Sequence, residues 1–168
     1  MNIYNTFGIQ ATADNYLEIR DLASLKELLS RPLPSPYFII GGGSNVVFTR
    51  HFPGTVIHMA NKGIEILPSE NAGRVFVRVA AGEVWDDFVR FCIANQCYGA
   101  ENLVAIPGCV GASPVQNVGA YGVEAKDIVH SVHAVEVATG RERVFANHEC
   151  QFGYRSSIFK TQLKDQYI

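Results

Sequence analysis

The sequence lacks an excess of charge of either sign, a long hydrophobic run and a secretory leader. Its 14 basic and 16 acidic residues give a net charge of -2 and are scattered along the chain, so no surface of one sign is expected to attract nucleic acid. No apolar run approaches the roughly 20 residues of a membrane-spanning helix, and residues 1–4 lack the basic and then apolar pattern of a signal peptide. These absences predict a cytoplasmic protein without nucleic-acid or membrane partners.

Cysteine is scarce, and its spacing indicates neither disulfide nor metal chemistry. The chain has four cysteines and no C-x-x-C pair, which predicts reduced thiols in core or loop positions without a functional role. A metal site on His130 and His133 is an alternative, but their odd spacing along a strand puts the side chains on opposite faces, so we expect no metal. The cysteines are Cys92, Cys97, Cys109 and Cys150.

The first 60 residues carry the pattern of a small β-α-β lobe. Alternation predicts a strand over residues 16–19, and leucines at helical spacing then predict a helix in which Ser24 and Glu27 form a capping box. Three prolines at positions 32, 34 and 36 must end that helix, because proline lacks the N–H donor and restricts the residue before it. The apolar runs that follow predict three further strands, over residues 37–40, 46–48 and 55–57.

Residues 61–168 are predicted to form a second, larger lobe, which makes the whole an α+β protein. Alternation predicts a strand over residues 74–79, and a helix over residues 84–95 should pack on the core through one apolar stripe. A hairpin is predicted over residues 129–145. Residues 164–168 resemble the approach to a further strand, from which we expect a truncated chain, with an ordinary short terminal strand as the alternative. The stripe of the predicted helix comprises Trp85, Phe88, Val89, Cys92 and Ile93.

Three consecutive glycines follow the strand predicted at residues 37–40. Glycine permits positive φ angles and a close approach of backbone to ligand, so successive N–H groups of residues 41–45, called here the glycine turn, can converge on a diphosphate. A Rossmann fingerprint would need a glycine where Val46 stands, and no Gly-Lys-Ser/Thr follows for a P-loop. A tight turn without a ligand is an equally good interpretation of these residues alone.

Residues 102–123, called here the uncharged loop, contain no charged side chain. Long loops are normally solvated and polar, because buried backbone must find hydrogen-bond partners, so this composition indicates a loop that is covered. Its small residues leave room for a large flat ligand such as an isoalloxazine ring, with Ser113, Gln116 and Asn117 available to its polar edge. A loop buried against protein alone is the alternative.

The third candidate element is an arginine among aromatic and small polar residues. Arg155 lies near Phe152 and Tyr154 in the sequence, a setting in which a guanidinium can bind a carboxylate through two parallel hydrogen bonds with water largely excluded. Arg155 is therefore a candidate substrate clamp. From chemistry alone, a structural salt bridge with a buried carboxylate is the better interpretation.

Six short segments, taken in order along nearly the whole chain, identify a family. They are NTFG at 5–8, GGGSN at 41–45, GAENL at 99–103, IPGCVG at 106–111, PVQNVGAYG at 114–122 and FGYR at 152–155. Each one is weak, but their joint order strongly resembles the UDP-N-acetylenolpyruvoylglucosamine reductase family. The resemblance implies a two-lobed FAD-binding fold of the vanillyl-alcohol-oxidase (PCMH) type, with a small β-α-β lobe, a larger lobe of antiparallel strands and helices, and FAD between them.

The resemblance also implies an activity in peptidoglycan synthesis. NADPH would reduce FAD, which would pass hydride to UDP-N-acetylglucosamine enolpyruvate to give UDP-N-acetylmuramate. Arg155 matches the arginine that stabilises the negative charge developing beside the substrate carboxylate, and Tyr121 matches a substrate contact. Relatives with covalent flavin have a histidine where Ser44 stands, so FAD should be non-covalent. The residues expected on FAD are Gly41, Gly42, Gly43, Ser44, Asn45, Val46, Gly111, Ser113, Pro114, Gln116, Asn117 and Gly119.

Two features of the family pattern are missing from these 168 residues. The proton-donating serine of the family lies in a later Gly-Ser-Phe-Phe-Lys-type motif, and its catalytic glutamate lies near the C-terminus. We therefore expect this chain, as a monomer, to bind FAD without reducing the enolpyruvyl substrate. A non-catalytic module that binds a nucleotide or flavin is the alternative function, and a colourless purified protein would favour it.

Overall fold

A three-stranded parallel sheet and one helix form the N-terminal part of the fold. The computed structural model describes residues 1–69 and 73–168. Its first elements are β1 (Ala13–Ile19), α1 (Leu22–Leu29), β2 (Tyr37–Ile40) and β3 (Phe52–Met59). The central strand is β3, which pairs in parallel with β1 on one side and β2 on the other. These elements confirm the succession of strand, helix and strand predicted from the sequence.

Helix α1 is capped by a residue that the sequence prediction missed. Asp21 is the N-cap, because its carboxylate accepts a hydrogen bond from the Ser24 N–H at 2.7 Å and its own N–H donates to Ser24 Oγ at 3.3 Å. Ser24 therefore stands at the third helical position, and the predicted capping box of Ser24 with Glu27 is wrong. The helix ends before the prolines, with Ser30 as the C-cap, as predicted.

The segment after the glycine turn is not a strand, so the prediction of a strand at residues 46–48 is wrong. Phe48 lies on the sheet instead, with its ring centroid 5.6 Å from that of Phe38 and 6.0 Å from that of Phe52. Since β2 and β3 are parallel, the chain must return from the end of β2 to the start of β3. In this connection Phe48 is half-buried against the sheet and Val47 is 53% exposed, and neither residue pairs as a strand.

The two faces of the parallel sheet pack against different parts of the chain. One face is covered by the N-terminal residues, with Ile3 and Ala11 in its buried cluster. On the other face, Ile57 packs with Val135 and Ile168 from the C-terminal part. The two regions therefore share one hydrophobic cluster. The division into lobes of residues 1–60 and 61–168 stays a prediction.

An antiparallel pair of strands leads into the second helix. These elements are β4 (Ile64–Leu67), β5 (Phe76–Val79) and α2 (Trp85–Ala94), and β4 pairs with β5. The strand predicted at residues 74–79 is confirmed from Phe76 onward, whereas β4 was not predicted. The helix predicted at residues 84–95 is confirmed, and the first and last residues of that range are its caps.

Helix α2 forms the core against which the uncharged loop packs. Trp85 and Val89 cluster with Leu103 and Val118 of the loop, and the Trp85 indole N–H donates to the Leu103 carbonyl at 2.8 Å. Ile93 is 43% exposed, so its predicted place in the apolar stripe is wrong. Successive residues of a helix are about 100° apart around its axis. Ile93 follows the buried Cys92 and therefore points away from the buried side of α2.

The uncharged loop and its flanks contain several short elements. Single turns of 3-10 helix form at Glu101–Leu103 and Val110–Ala112. The two-residue strands β6 (Gly119–Ala120) and β7 (Val123–Glu124) pair as a small antiparallel hairpin that leads into α3 (Ala125–Ile128). Much of the loop therefore has a defined local conformation, although its sequence shows no helix or strand periodicity.

The C-terminal part is built on a hairpin of β8 (Ser131–Val135) and β9 (Glu142–Ala146), which confirms the predicted hairpin with shorter strands. A 3-10 turn at Asn147–Cys150 follows. Val135 and Ile168 exchange two backbone hydrogen bonds of 2.7 and 2.9 Å. Tyr167 and Ile168 thus lie along β8, whereas residues 161–166 form turns. The strand-like character predicted for residues 164–168 is therefore confirmed only for the last two of them.

Candidate functional site

A cavity of about 160 Å³ lies where three distant segments meet. The glycine turn contributes Ser44 and Asn45, the uncharged loop contributes residues between positions 106 and 118, and Arg155 completes the lining. Trp85 of α2 supplies an apolar wall. The structure therefore brings together the three elements that the sequence singled out separately. Loop residues at the cavity include Pro107, Gly108, Cys109, Ser113, Gln116 and Val118.

The glycine turn begins where β2 ends, and its shape requires glycine at position 43 and favours it at position 41. Gly43 has a φ of +64°, and a Cβ atom there would lie 2.8 Å from the Asn5 Cα. A Cβ atom at Gly41 would lie 3.2 Å from the Cys109 Cβ. A larger residue at Gly43 would be strained in conformation and would clash with backbone, while at Gly41 the neighbouring side chain would have to move.

Three backbone N–H groups of the glycine turn have no hydrogen-bond acceptor in the described part of the protein. Gly42 uses its N–H on the Cys109 thiol. Within residues 1–69 and 73–168, the N–H groups of Gly43, Ser44 and Asn45 donate to no protein acceptor. Gly43 is also buried, and buried backbone donors are nearly always paired in proteins. This segment has the free, adjacent donors that an anion-binding turn needs.

The uncharged loop is anchored from one side by the segment before α2. The N–H of Val110 donates to the Glu83 carbonyl at 2.8 Å, and the N–H of Gly111 donates to the Ala81 carbonyl at 2.9 Å. A Cβ atom at Gly111 would lie 2.5 Å from the Ala81 Cβ. This side of the loop packs on protein, as the alternative interpretation of its composition expected, while the side with Ser113 lines the cavity.

A second anchor comes from residues 153–157, which run beside residues 115–119. Three hydrogen bonds connect alternate residues of the two segments, each to a backbone carbonyl, so Arg155 is held next to the end of the loop. The bonds join Ser157 Oγ to Val115 O (2.8 Å), Asn117 Nδ2 to Gly153 O (2.9 Å) and Arg155 Nη2 to Gly119 O (3.0 Å).

The polar side chains of the uncharged loop differ in how many of their hydrogen-bonding atoms are already paired with protein. Asn117 is fully buried, and its Oδ1 accepts from the Lys126 N–H at 3.0 Å while its Nδ2 is bound to protein. Its side chain holds the loop in place, so the predicted hydrogen bond from that side chain to a ligand is not available here. Ser113 Oγ donates to the Val110 carbonyl at 2.8 Å but keeps its acceptor lone pairs. Gln116 accepts from Asn45 Nδ2 at 3.3 Å, and its own NH₂ has no acceptor among residues 1–69 and 73–168.

Arg155 lies at the rim of the cavity. The residue is exposed, its φ is +51°, and its guanidinium carbon lies 5.9 Å from the centre of the Tyr154 ring. No carboxylate of the described residues forms an ion pair with it, so the expected structural salt bridge is not observed there. The expectation that water is largely excluded from Arg155 is wrong for the described part of this chain, because the residue is exposed.

Nine of the predicted residues do not line the cavity: Gly41, Gly42, Gly43, Val46, Gly111, Pro114, Asn117, Gly119 and Tyr121. Pro114 is buried, and Val46 and Gly119 are half-buried. Tyr121 is 87% exposed at the turn between β6 and β7, with a φ of +50°. These residues remain predictions, and Tyr121 is open to a contact from solvent.

Cys109 and Trp85 are among the cavity-lining residues that the sequence analysis missed. Burial raises the pKa of the Cys109 thiol, although the N–H of Gly42 and the charge of Lys62 oppose the shift. The thiol is therefore a neutral, protonated part of the cavity wall. The position of Cys109 inside the uncharged loop was the signal that could have placed it there, whereas its residue type indicated nothing.

Two kinds of feature are absent from residues 1–69 and 73–168. No group of three His, Cys, Asp or Glu side chains lies there in an arrangement that could hold a metal ion. His133 is exposed on β8, and His130 lies with its ring 4.7 Å from that of Phe76. The helices in these ranges are all too short or too polar to cross a membrane.

Curated relatives match nearly the whole chain. The UDP-N-acetylenolpyruvoylglucosamine reductase of Flavobacterium johnsoniae is 46% identical over 165 residues, which cover 98% of this chain and 49% of the relative. The reductase of Bacteroides fragilis strain YCH46 is 48% identical over 158 residues, or 94% of this chain and 47% of the relative. These matches confirm the resemblance found from the motifs. The chain spans about half the length of the curated relatives it matches.

A solved structure shares the fold. The crystal structure of UDP-N-acetylenolpyruvylglucosamine reductase from Thermus caldophilus superimposes with a TM-score of 0.70 at 27% identity, covering 92% of this chain and 53% of that one. This match confirms the predicted fold class. Residues 23–146, which include both the glycine turn and the uncharged loop, match the family described as FAD binding domain, in agreement with the predicted cofactor. The chain therefore belongs to the FAD binding domain family.

Proposed function

We propose that this chain binds FAD non-covalently, with the diphosphate at the glycine turn and the isoalloxazine ring along the uncharged loop. The observation that carries the proposal is the buried Gly43, whose N–H lacks a protein acceptor within the described ranges and adjoins the N–H groups of Ser44 and Asn45. A diphosphate at this point would pair all three donors. The hydroxyl of Ser44 offers no covalent attachment for a flavin.

The size of the cavity limits what it can enclose. Its volume of about 160 Å³ is below the roughly 300 Å³ of a small ligand pocket, so it fits one part of a dinucleotide and leaves the rest along the open surface. Trp85 and Val118 give it an apolar wall that suits a ring system. The free NH₂ of Gln116 and the oxygen of Ser113 supply polar contacts at the edge.

The proposed activity is that of the named relatives. We propose that the chain is the FAD-binding part of a cytoplasmic, NADPH-dependent reductase that converts UDP-N-acetylglucosamine enolpyruvate to UDP-N-acetylmuramate for peptidoglycan synthesis. A bound flavin supplies hydride transfer in such a reaction. The support is the extent of the similarity, 46% identity over 98% of the chain to one such reductase, together with the convergence of four of the six motif segments on one cavity.

Arg155 is the proposed contact for the substrate carboxylate. Its guanidinium is held in place by one hydrogen bond to Gly119 O, which leaves other N–H groups free at the cavity rim. Hydride addition to an enolpyruvyl group builds negative charge beside the carboxylate, and a fixed cation stabilises that charge. Tyr121, exposed at the neighbouring turn, is proposed as a second substrate contact.

We propose further that these 168 residues, as a monomer, bind FAD but do not complete the reaction. The chain spans about half of the curated relatives, and the serine and glutamate of the family pattern have no counterpart in its sequence. Incubation with FAD, NADPH and the enolpyruvyl substrate should give no UDP-N-acetylmuramate by mass spectrometry. Sustained product formation would refute this part of the proposal.

A pair of isosteric substitutions tests FAD binding at the glycine turn. Asn45 and Asn95 are both exposed, and each donates one side-chain hydrogen bond. Replacing either by Asp adds one negative charge, but only Asn45→Asp places it beside the diphosphate. We expect about tenfold weaker FAD binding for Asn45→Asp, since like charges near 5 Å repel by about 1 to 3 kcal/mol, and no change for Asn95→Asp.

Flavin fluorescence titration of the wild type and both variants measures this effect. Equal affinities of the wild type and Asn45→Asp would contradict the placement of the diphosphate. A wild type that binds ADP but gains no flavin absorbance would favour the alternative of a nucleotide-binding module.

A further inference from the structure

The NTFG segment, which the proposed site does not use, lies at the tip of a chain reversal formed by residues 1–13. Ile3 N–H donates to the Ala11 carbonyl, and Ala13 N–H donates to the Met1 carbonyl, both at 2.8 Å. Ile3, Ala11 and Ala13 are buried in the cluster on the parallel sheet. The base of the reversal is therefore fixed in the core, and its tip projects from there.

Asn5 closes the tip of the reversal, which comprises residues 5–9. Its Nδ2 donates to the Ile9 carbonyl at 2.8 Å and to the Ile3 carbonyl at 3.3 Å, and its Oδ1 accepts from the Ile9 N–H at 3.1 Å. The Asn5 side chain thus takes the place of a backbone hydrogen-bonding partner at the point where the two segments of the reversal separate. Glycine at position 8, with a φ of +67°, completes the turn.

The closed tip is in contact with the glycine turn. A Cβ atom at Gly43 would lie 2.8 Å from the Asn5 Cα and 2.9 Å from the Tyr4 carbonyl oxygen. The Tyr4 ring in turn stacks on His58 of β3, with 6.0 Å between ring centroids. His58 pairs with Ile40, the last residue of β2. The tip therefore lies against the residue whose unpaired N–H carries the proposed diphosphate site.

We propose that Asn5 is a positioning residue for FAD: by closing the tip, it holds the backbone of Asn5 and Tyr4 against Gly43 and so fixes the direction of the N–H groups of residues 43–45. This inference rests on the proposed function. Asn5 does not contact the diphosphate itself. Donors that are already fixed in the bound geometry lose less entropy on binding, so a loose tip weakens binding even where the fold persists.

Two asparagine variants test the role of Asn5. Asn5→Ala removes the three side-chain bonds of the tip, whereas the control Asn95→Ala removes one side-chain bond to the Phe91 carbonyl at the exposed end of α2. We expect FAD binding about tenfold weaker for Asn5→Ala, because the tip then no longer holds the N–H donors of residues 43–45 in the bound geometry. Asn95→Ala should bind FAD as the wild type does. Fluorescence titration is performed under conditions in which circular dichroism shows each protein to be folded.

A double variant separates positioning from general destabilisation. Gly43→Ala disturbs the contact between Gly43 and the backbone of Asn5 by a change at Gly43 itself. Because both variants act on this one contact, the double variant Asn5→Ala with Gly43→Ala should lose less FAD affinity than the sum of the two single losses. Additive losses would overturn the proposal. The comparison of Asn5→Ala with Asn95→Ala decides it where the Gly43 variant does not fold.

The outcomes distinguish this inference from the proposed function. If the wild type binds FAD and Asn5→Ala binds equally well, only the role of Asn5 is overturned. If the wild type binds no FAD, the proposed function fails, and the inference fails with it.

Discussion

The glycine turn and the uncharged loop form two sides of one cavity, but they are held in different ways. The glycine turn follows directly from β2 and takes its shape from glycine backbone, with Gly43 pressed against the tip at Asn5. The uncharged loop depends on hydrogen bonds to segments far away in the sequence, residues 81–83 on one side and 153–157 on the other. The glycine turn takes a local backbone shape in which the N–H groups of residues 43–45 have no protein acceptor in the described ranges. The uncharged loop is held by tertiary contacts, and its buried hydrogen-bonding groups are used in them.

This difference predicts different consequences of mutation. In the uncharged loop, the buried polar groups are paired with protein, so their loss should lower the free energy of unfolding. In the glycine turn, the free N–H groups have no protein partner in the described ranges, so changes there should lower FAD affinity more than stability. Matched substitutions in the glycine turn and the uncharged loop test this difference.

The largest effect on stability is expected for Asn117→Ala. The change leaves the Gly153 carbonyl and the Lys126 N–H without their buried partner, which costs about 3 kcal/mol of unfolding free energy. The matched change Asn45→Ala removes one exposed 3.3 Å bond and should cost less than about 0.5 kcal/mol. Urea unfolding at constant pH measures both. Equal losses of unfolding free energy for Asn117→Ala and Asn45→Ala would show that the uncharged loop and the glycine turn are held in the same way.

A smaller effect is expected from adding one methyl group to each region. At Gly111 the new Cβ would lie 2.5 Å from the Ala81 Cβ, so Gly111→Ala should destabilise the fold by about 2 kcal/mol. At Gly42 the nearest atom, the Cys109 Sγ, lies at 3.5 Å, an ordinary contact. Gly42→Ala should therefore change the unfolding free energy by less than about 0.5 kcal/mol. A larger loss for Gly42→Ala than for Gly111→Ala would contradict this account of the packing.

The smallest effect concerns Cys109, which contacts the glycine turn from within the uncharged loop. Because burial raises its pKa, the thiolate fraction at pH 8 is low, and alkylation by iodoacetamide should be slow and should accelerate as the pH rises towards that raised pKa. FAD should slow it further by covering the cavity. Mass spectrometry of the Cys109 peptide, with and without FAD, gives the rates. Fast alkylation at pH 8, unchanged by FAD, would contradict the position of this residue in the cavity wall.

The sequence predicted those parts of the fold that depend on local pattern. The leucine spacing of α1, the alternation in β5 and the β8–β9 hairpin each depend on side chains that are neighbours in the chain. The strand predicted at residues 46–48 failed because the segment belongs to the connection between β2 and β3, in which Phe48 packs on Phe38 and Phe52 without strand pairing and Val47 is exposed. The capping box failed because Asp21 and Ser24 offer the same chemistry three residues earlier.

The site was predictable in its segments but not in its internal contacts. The glycines at 41–43 marked the turn whose next two residues, Ser44 and Asn45, line the cavity, and the uncharged run at 102–123 marked the loop that lines its other side. The commitment of Asn117 to Gly153 and Lys126 was not predictable, because it depends on residues that are distant in sequence and become neighbours only in the fold. The exposure of Arg155 has the same origin, since an aromatic neighbourhood in sequence does not show which side of the residue is covered.

The central claim is that the N–H groups of Gly43, Ser44 and Asn45 bind the diphosphate of FAD. Titration of the ¹⁵N-labelled chain with FAD, followed by amide chemical shifts, tests it most directly. The account predicts that these three amides shift most strongly in the N-terminal region and that ADP reproduces their shifts. Saturating FAD binding that leaves all three amides unshifted would contradict it.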